Sequence, residues 1–191
     1  MRRLLVLMAA AWIGVAHGAE VAGVKLPDKT RVGAGGPELV LNGAGLRTRY
    51  FVKVYAAGLY LEKKSQTTAG VLALTGPKRV SMHLLRELSA RQIHGALQEG
   101  IAANNSAEEQ EELMPQLGEL DVVMAQLGPI KAGDVVTLDF VPGTGTVVTV
   151  NGRAKGRPIA GEALYRALLR VWLGDSPAQE DLKKALLGQP G

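Results

Sequence analysis

Between Arg79 and Leu85 apolar and polar residues alternate, with Val80, Met82 and Leu84 set against Arg79, Ser81 and His83. A period of two predicts a strand with one buried face. Val71–Leu74 reads as a strand as well, separated from this one by the Gly76-Pro77 turn. Upstream, the pattern predicts a short first strand over Val21–Leu26 and a second over Glu38–Asn42, which runs into a kink at Gly43-Ala44-Gly45. One long central strand is then expected over Arg49–Leu61. Downstream, Asp134–Val141 and Thr146–Asn151 predict strands joined by Pro142-Gly143-Thr144-Gly145. Asn151-Gly152 is a tight-turn signal that starts a third strand reaching about Ile159.

The middle and the end of the chain carry a helical period. Ser89 can cap a helix with Ile93, Leu97 and Ile101 at four-residue spacing. Ser106 and Glu109 form a capping box for another, and the acids around them favour a helix first turn. Pro115 should break or restart that helix, beyond which Leu117, Leu120, Met124 and Leu127 continue an apolar face. A further helix is expected over Gly161–Leu173, with Leu164, Leu168 and Val171 or Trp172 inward and Gly174 as its stop. Ser176-Pro177 then caps a last helix to Leu187, with Gln179 completing an S-x-x-Q box. Strands, helices, strands and helices in that order predict an α+β fold, one antiparallel sheet with helices packed on one face. A ligand would sit between the two layers.

The N-terminus changes the domain reading. Arg2 and Arg3 precede an unbroken apolar run from Leu4 to Ala16, and Ala16-His17-Gly18 offers small residues for cleavage after Gly18. A run this short falls below the roughly 20 residues that span a bilayer and fits a secretory signal. The expected organisation is a signal peptide over residues 1–18 and one domain over residues 19–191, in the periplasm or secreted. With no cysteine anywhere, a lipoprotein anchor, thiol catalysis and thiolate metal sites are excluded, and no membrane anchor is expected after signal removal. Loss of Arg2 and Arg3 lowers the net charge from +4 to +2, and no basic run suggests nucleic acid. His83 and His94 lack ligand spacing for a metal, and Gly143-Thr144-Gly145 lacks the helix of a phosphate loop, so no metal or cofactor is expected.

Candidate chemistry concentrates in Asn42–Glu62, NGAGLRTRYFVKVYAAGLYLE. Tyr50, Phe51, Tyr55 and Tyr60 are half of the aromatic residues in the chain, and Arg47 and Arg49 precede the apolar run. Cation, phenol and apolar surface together suit an amphipathic ligand, its polar head on Arg and Tyr. By residue type alone, Arg47 reads first as an exposed strand-end arginine, and Tyr55 reads equally as a core tyrosine with a satisfied hydroxyl. On a straight strand the two stand about 27 Å apart, at ~3.4 Å per residue. Sharing one ligand head therefore requires a turn or bulge between them, near Thr48. Arg49 is the reserve candidate.

This segment closely resembles the region of chalcone-isomerase-like proteins where Gly-x-Gly-x-Arg leads into a strand ending in G-x-Y-L-E. The tail, from Asp134 through the PGTG turn and Asn151-Gly152 to LLRVWLGDSPAQEDLKKALLG, is similar to the end of bacterial secreted members, and the likeness covers most of residues 20–188. The resemblance implies a chalcone-isomerase-type open-faced sandwich, one large antiparallel sheet with a helix layer on one face. The family includes plant enzymes that close a chalcone to a flavanone, and non-catalytic relatives in which an Arg and a Tyr of this region hold a fatty-acid carboxylate. Carried over, those positions are Arg47 and Tyr55.

Compared with the plant pattern, about four extra residues separate Arg47 from the strand. Where the plant enzymes place a helix Tyr and Asn, this chain has Ile93 and Gly100, and their late hydroxyl residue falls at Val171, beside Trp172. Tyr165 or Asn104 could substitute in part. Ring closure needs a positioned phenolate and donors for the developing enolate, whereas a fatty acid needs charge-assisted bonds to one carboxylate and an apolar slot. The sequence thus points to binding of a fatty acid or similar apolar carboxylate. The alternatives are an isomerase (an intramolecular lyase) acting on a phenolic or enone substrate in the same pocket, or a scaffold with a packed interior.

Overall fold

The structure, a computed structural model, describes residues 18–33 and 35–189. The expected signal segment lies, except for Gly18, outside the described residues. A two-stranded hairpin, β1 (Ala19–Val21) and β2 (Val24–Leu26), stands apart from the main sheet. It replaces the single strand expected at Val21–Leu26, because Ala22 and Gly23 adopt left-handed backbone and reverse the chain. The main sheet has seven strands in strict sequence order: β3 (Lys29–Arg31), β4 (Glu38–Arg49), β5 (Val52–Leu61), β6 (Lys78–Leu84), β7 (Val135–Val141), β8 (Gly145–Val150) and β9 (Arg153–Ile159). Every neighbouring pair is antiparallel. The Asn151-Gly152 turn joins β8 to β9 as the sequence predicts, with Asn151 at positive φ and its side chain accepting from Val135 N and donating to Asp134.

Among the described residues six helices form, α1 (Thr68–Ala73), α2 (Ala90–Asn104), α3 (Ala107–Glu112), α4 (Met114–Ala125), α5 (Ala163–Leu173) and α6 (Glu180–Leu186). Both capping boxes form, Ser89 with Gln92 and Ser106 with Glu109. Pro115 sits in the first turn of α4, where its missing N–H costs nothing. Val71–Leu74 is not a strand. Thr67 caps Gly70 N and starts α1, which buries Val71; an apolar run of four does not distinguish a strand from a helix turn.

The helix layer covers one face of the sheet, and the main core lies between the two, formed by residues such as Leu59, Met82 and Leu138 below and Leu97, Leu120 and Leu168 above. On the other face a smaller cluster of Leu26, Val32, Leu39, Leu41, Ala56 and Tyr60 packs near the β1–β2 hairpin. Glycine decides how closely α6 approaches β4. A Cβ on Gly43 would collide with the backbone oxygens of Ala185 and Leu186, so only glycine lets the end of α6 lie on the strand. Beside it Asn42, extra in the β4 register, donates to Leu186 O at 2.7 Å and bonds Ser65 through both ends of its amide. The kink expected at Gly43–Gly45 is this bulge, and β4 continues through it to Arg49.

Candidate functional site

The long strand expected over Arg49–Leu61 is in fact broken at its start. Tyr50 and Phe51, with φ of 48° and 65°, form a two-residue turn, and β4 and β5 are the arms of a hairpin. This connection answers the 27 Å separation of a straight strand. Arg47 is the direct cross-strand partner of Tyr55, and a register shift follows at once between Arg47 and Thr48. Facing residues of an antiparallel pair hold their Cβ atoms about 5 Å apart on the same face. The two candidates therefore meet by strand pairing across the Tyr50–Phe51 turn, and the register shift beside them leaves Val54 of β5 without a partner in the β4–β5 ladder.

Both line a cavity of about 670 Å³ between the sheet and the helix layer. Its apolar wall includes Val54, Met82 and Leu84 from the sheet and Ile93, Leu97 and Val171 from the helices. Gly100 lines it too, and a Cβ there would lie 2.6 Å from Val171 Cγ1, so these two positions are packed on each other and leave no room for a polar side chain. Tyr165 does not substitute: its buried hydroxyl donates to Leu138 O in the core. Nor does Asn104, whose amide is occupied by Gly100 O, Ser176 O and Ser176 N.

Four side chains shape the polar end. Trp172 Nε1 donates to the Tyr55 hydroxyl at 2.9 Å. An indole has no acceptor, so this bond occupies a lone pair of the phenol and leaves its proton for another partner. Burial pushes the Tyr55 hydroxyl's pKa up, against the opposing pull of Trp172 and the Arg47 cation, so the group is a neutral donor at ordinary pH. Arg47, half-buried, donates through Nη1 to Thr48 O at 2.6 Å and to Gln179 Oε1 at 3.3 Å. Gln179 Oε1 also accepts from Thr48 N at 2.9 Å. Among the described residues Arg47 has no carboxylate partner. Only Nη1 is engaged by Thr48 and Gln179, and the guanidinium stands close enough to the Tyr55 hydroxyl to oppose the rise that burial gives its pKa, so the cation and the phenol sit together at this end.

The S-x-x-Q box expected of Gln179 does not form. Gln179 is itself the N-cap residue of α6, without a side-chain cap bond, and its amide is spent on β4. Sequence reading missed Gln179 and Trp172 as parts of the site. The signal for Trp172 was its place beside Val171 on a helix with one apolar face; for Gln179 a local motif concealed a long-range contact. Arg49 is exposed at the cavity mouth, 5.6 Å from the centre of the Tyr50 ring, and does not reach the Arg47–Tyr55 pair by any hydrogen bond.

The opposite face of the sheet carries a second groove of about 450 Å³ lined by Tyr60, Arg79, Ser81, His83 and Asp139, among others. Its charges are already matched: Arg79 holds Asp139 through two bonds of 2.7 and 2.6 Å and reaches Thr30 Oγ1 at 2.7 Å. On the helix side, by contrast, Arg47 lines the larger cavity with no carboxylate partner among the described residues.

A family model described as chalcone isomerase-like matches residues 18–188. Among solved structures, the crystal structure of a fatty-acid binding protein of Arabidopsis thaliana is similar in fold, with a TM-score of 0.61 over 86% of this chain and 92% of that one, at 16% sequence identity. No curated protein matches the sequence significantly. The seven-stranded antiparallel sheet backed by helices is the open-faced sandwich the sequence led us to expect, and the chain belongs to the chalcone isomerase-like family.

Proposed function

We propose that this protein binds a fatty acid or a similar apolar carboxylate, its head on Arg47 and Tyr55 and its tail in the cavity between sheet and helices. The observation that carries the reading is the state of Arg47: a half-buried guanidinium at the wall of an apolar cavity, oriented by Gln179 and lacking a carboxylate among the described residues. A cation kept partly from water without a counter-ion is unfavourable until an anion joins it. The Tyr55 proton supplies a second bond to the same anion. A cavity of about 670 Å³ is within the range of small-molecule sites. The likeness in fold to a fatty-acid binding protein supports the same reading. The apolar run Leu4–Ala16 supports export, with binding taking place in the periplasm or outside the cell.

Native mass spectrometry of the purified protein tests the proposal. Co-purifying fatty acid that is absent from Arg47→Ala is the expected result. An empty protein that takes up no fatty acid on addition overturns it. Turnover of a chalcone, lost in Tyr55→Phe, would assign the isomerase activity instead.

A further inference from the structure

The hairpin that brings Arg47 to Tyr55 ends in a tip the folded chain does not use. Among the described residues five large hydrophobic side chains are exposed, and three of them are consecutive at this tip: Tyr50 at 84%, Phe51 at 104% and Val52 at 46% of full exposure. A two-residue hairpin turn with both φ positive is the place for Asn-Gly. Here it carries two bulky aromatic residues in left-handed backbone. Full exposure leaves Phe51 without a packing role in the fold, while the Tyr50 ring stands 5.6 Å from the Arg49 guanidinium.

The surroundings of the tip are basic. Arg49 and Lys53 flank it on the two strands and are exposed, and Arg86 and Arg91 stand exposed on the rim of the same cavity. None of these four cations has a carboxylate partner among the described residues. Of the charged residues that line the cavity, Arg47, Arg49, Arg86 and Arg91 stand against one acid, Glu99, while Glu87, Asp175 and Glu180 are sequence neighbours of Arg86, Ser176 and Gln179 around the mouth. Tyr50, Val52 and Arg49 themselves line the cavity, which places the aromatic tip at its entrance.

We propose that the Tyr50–Phe51 tip docks on an anionic lipid bilayer and sets the cavity mouth against the headgroup layer, where the apolar ligand enters or leaves. The inference rests on the fatty-acid reading for its purpose and on the tip alone for its geometry. Aromatic rings with flanking Arg and Lys are the composition that settles at a bilayer interface, the rings among the acyl–headgroup boundary and the cations on anionic lipid. A protein partner suits the tip less well. Three side chains on one turn cover far less than the roughly 1,000 Å² of a stable protein interface. Docking at this point also spares the ligand's tail a passage through water, which is unfavourable for an apolar chain.

Vesicle flotation with residues 19–191, the chain expected after signal cleavage, tests the proposal. The probes are vesicles of phosphatidylcholine alone and of phosphatidylcholine with phosphatidylglycerol. Binding is expected to the anionic vesicles, about tenfold weaker to the neutral ones, and to fall with added salt. Phe51→Gly is expected to lose about tenfold in vesicle binding while its melting temperature rises, because glycine relieves the left-handed turn. A weakened variant that is also more stable cannot be explained by misfolding. Its fatty-acid affinity in solution should be unchanged, since Phe51 does not line the cavity. Equal binding of Phe51→Gly and the parent overturns the docking proposal, as does equal binding to both vesicle types. A chain that binds fatty acid yet ignores all vesicles also overturns it, and leaves the tip to a protein partner. Vesicle binding by a chain that takes no fatty acid sustains the docking surface and removes the ligand reading alone.

Discussion

Trp172 on α5 donates its indole N–H to the hydroxyl of Tyr55 on β5 over 2.9 Å, tying the helix layer to the sheet at the polar end of the cavity. The bond sets the direction of the phenol as well as its place. With the oxygen accepting from Trp172, the Tyr55 proton is left for another acceptor. Tyr55→Phe removes that donor and leaves the indole N–H without a partner. The expected result is a loss of about 1–2 kcal/mol in folding stability and a several-fold weaker fatty-acid affinity. Trp172→Phe should cost stability mainly through lost packing and weaken ligand binding less, since the phenol remains. Chemical denaturation and fluorescent fatty-acid displacement on both variants read the two effects separately; an affinity unchanged in Tyr55→Phe removes this residue from the site.

In the proposed site Arg47 supplies the charge, and Gln179 holds its guanidinium. Removing a charged hydrogen-bond partner of a carboxylate costs about 1.5–3 kcal/mol, so Arg47→Ala is expected to weaken binding by roughly 10- to 150-fold. Arg47→Lys keeps the charge but not the fork and should fall between the parent and Ala. Gln179→Ala frees the guanidinium from α6 and releases Thr48 N, and the expected loss is smaller, about fivefold. Isothermal titration with a soluble medium-chain fatty acid gives the ranking. An effect of Gln179→Ala as large as that of Arg47→Ala would mean that Gln179 itself touches the ligand.

The parts of this molecule governed by local rules were legible in the chain. Ser89–Gln92, Ser106–Glu109, Pro115 and Asn151-Gly152 each declare themselves within a few residues, and each forms as expected. The arrangement that brings the site together was not legible, because the turn at Tyr50–Phe51 lacks every ordinary turn residue. Two aromatic residues after Arg49 look like continued strand, since the left-handed conformation they adopt is one that such side chains rarely take. The family pattern placed Arg47 and Tyr55 at one site, while the straight-strand geometry placed them far apart. The hairpin reconciles the two. Gln179 was misassigned for the opposite reason: it fits a helix-start motif, yet its amide is claimed by a strand distant in sequence.

Gly43 links the last helix to the site. A methyl group there meets the Ala185 and Leu186 carbonyl oxygens and the Gly188 amide, all backbone atoms at the end of α6, so the helix must shift away. Gly43→Ala is expected to destabilise the fold by about 1–3 kcal/mol. Because Gln179 begins the same helix, the shift should also loosen Arg47 and lower fatty-acid affinity, although Gly43 lies outside the cavity lining. Urea denaturation beside a binding titration checks both. A destabilised variant with the parent's affinity would show that the start of α6 holds its place independently of its end.

His83 gives the fold a dependence on pH that does not involve the ligand. It stands on the groove face of β6, with Nε2 3.2 Å from Ser81 Oγ, and burial lowers its pKa below the ordinary histidine value of 6.5. Above pH 6.5 the ring is neutral in both the folded and unfolded chain, and the full stability is present. As pH falls through 6.5 the unfolded chain takes a proton that the folded chain still refuses, so stability declines. The decline stops once pH passes the lowered folded value. One proton limits the slope to about 1.4 kcal/mol per pH unit, and water in the groove keeps it below that limit. His83→Gln keeps a polar side chain and removes the titration. The difference between parent and variant stability, measured by urea denaturation from roughly pH 5 to pH 7, isolates this one group. Parallel curves for the two proteins would show that His83 titrates alike in the folded and unfolded chain.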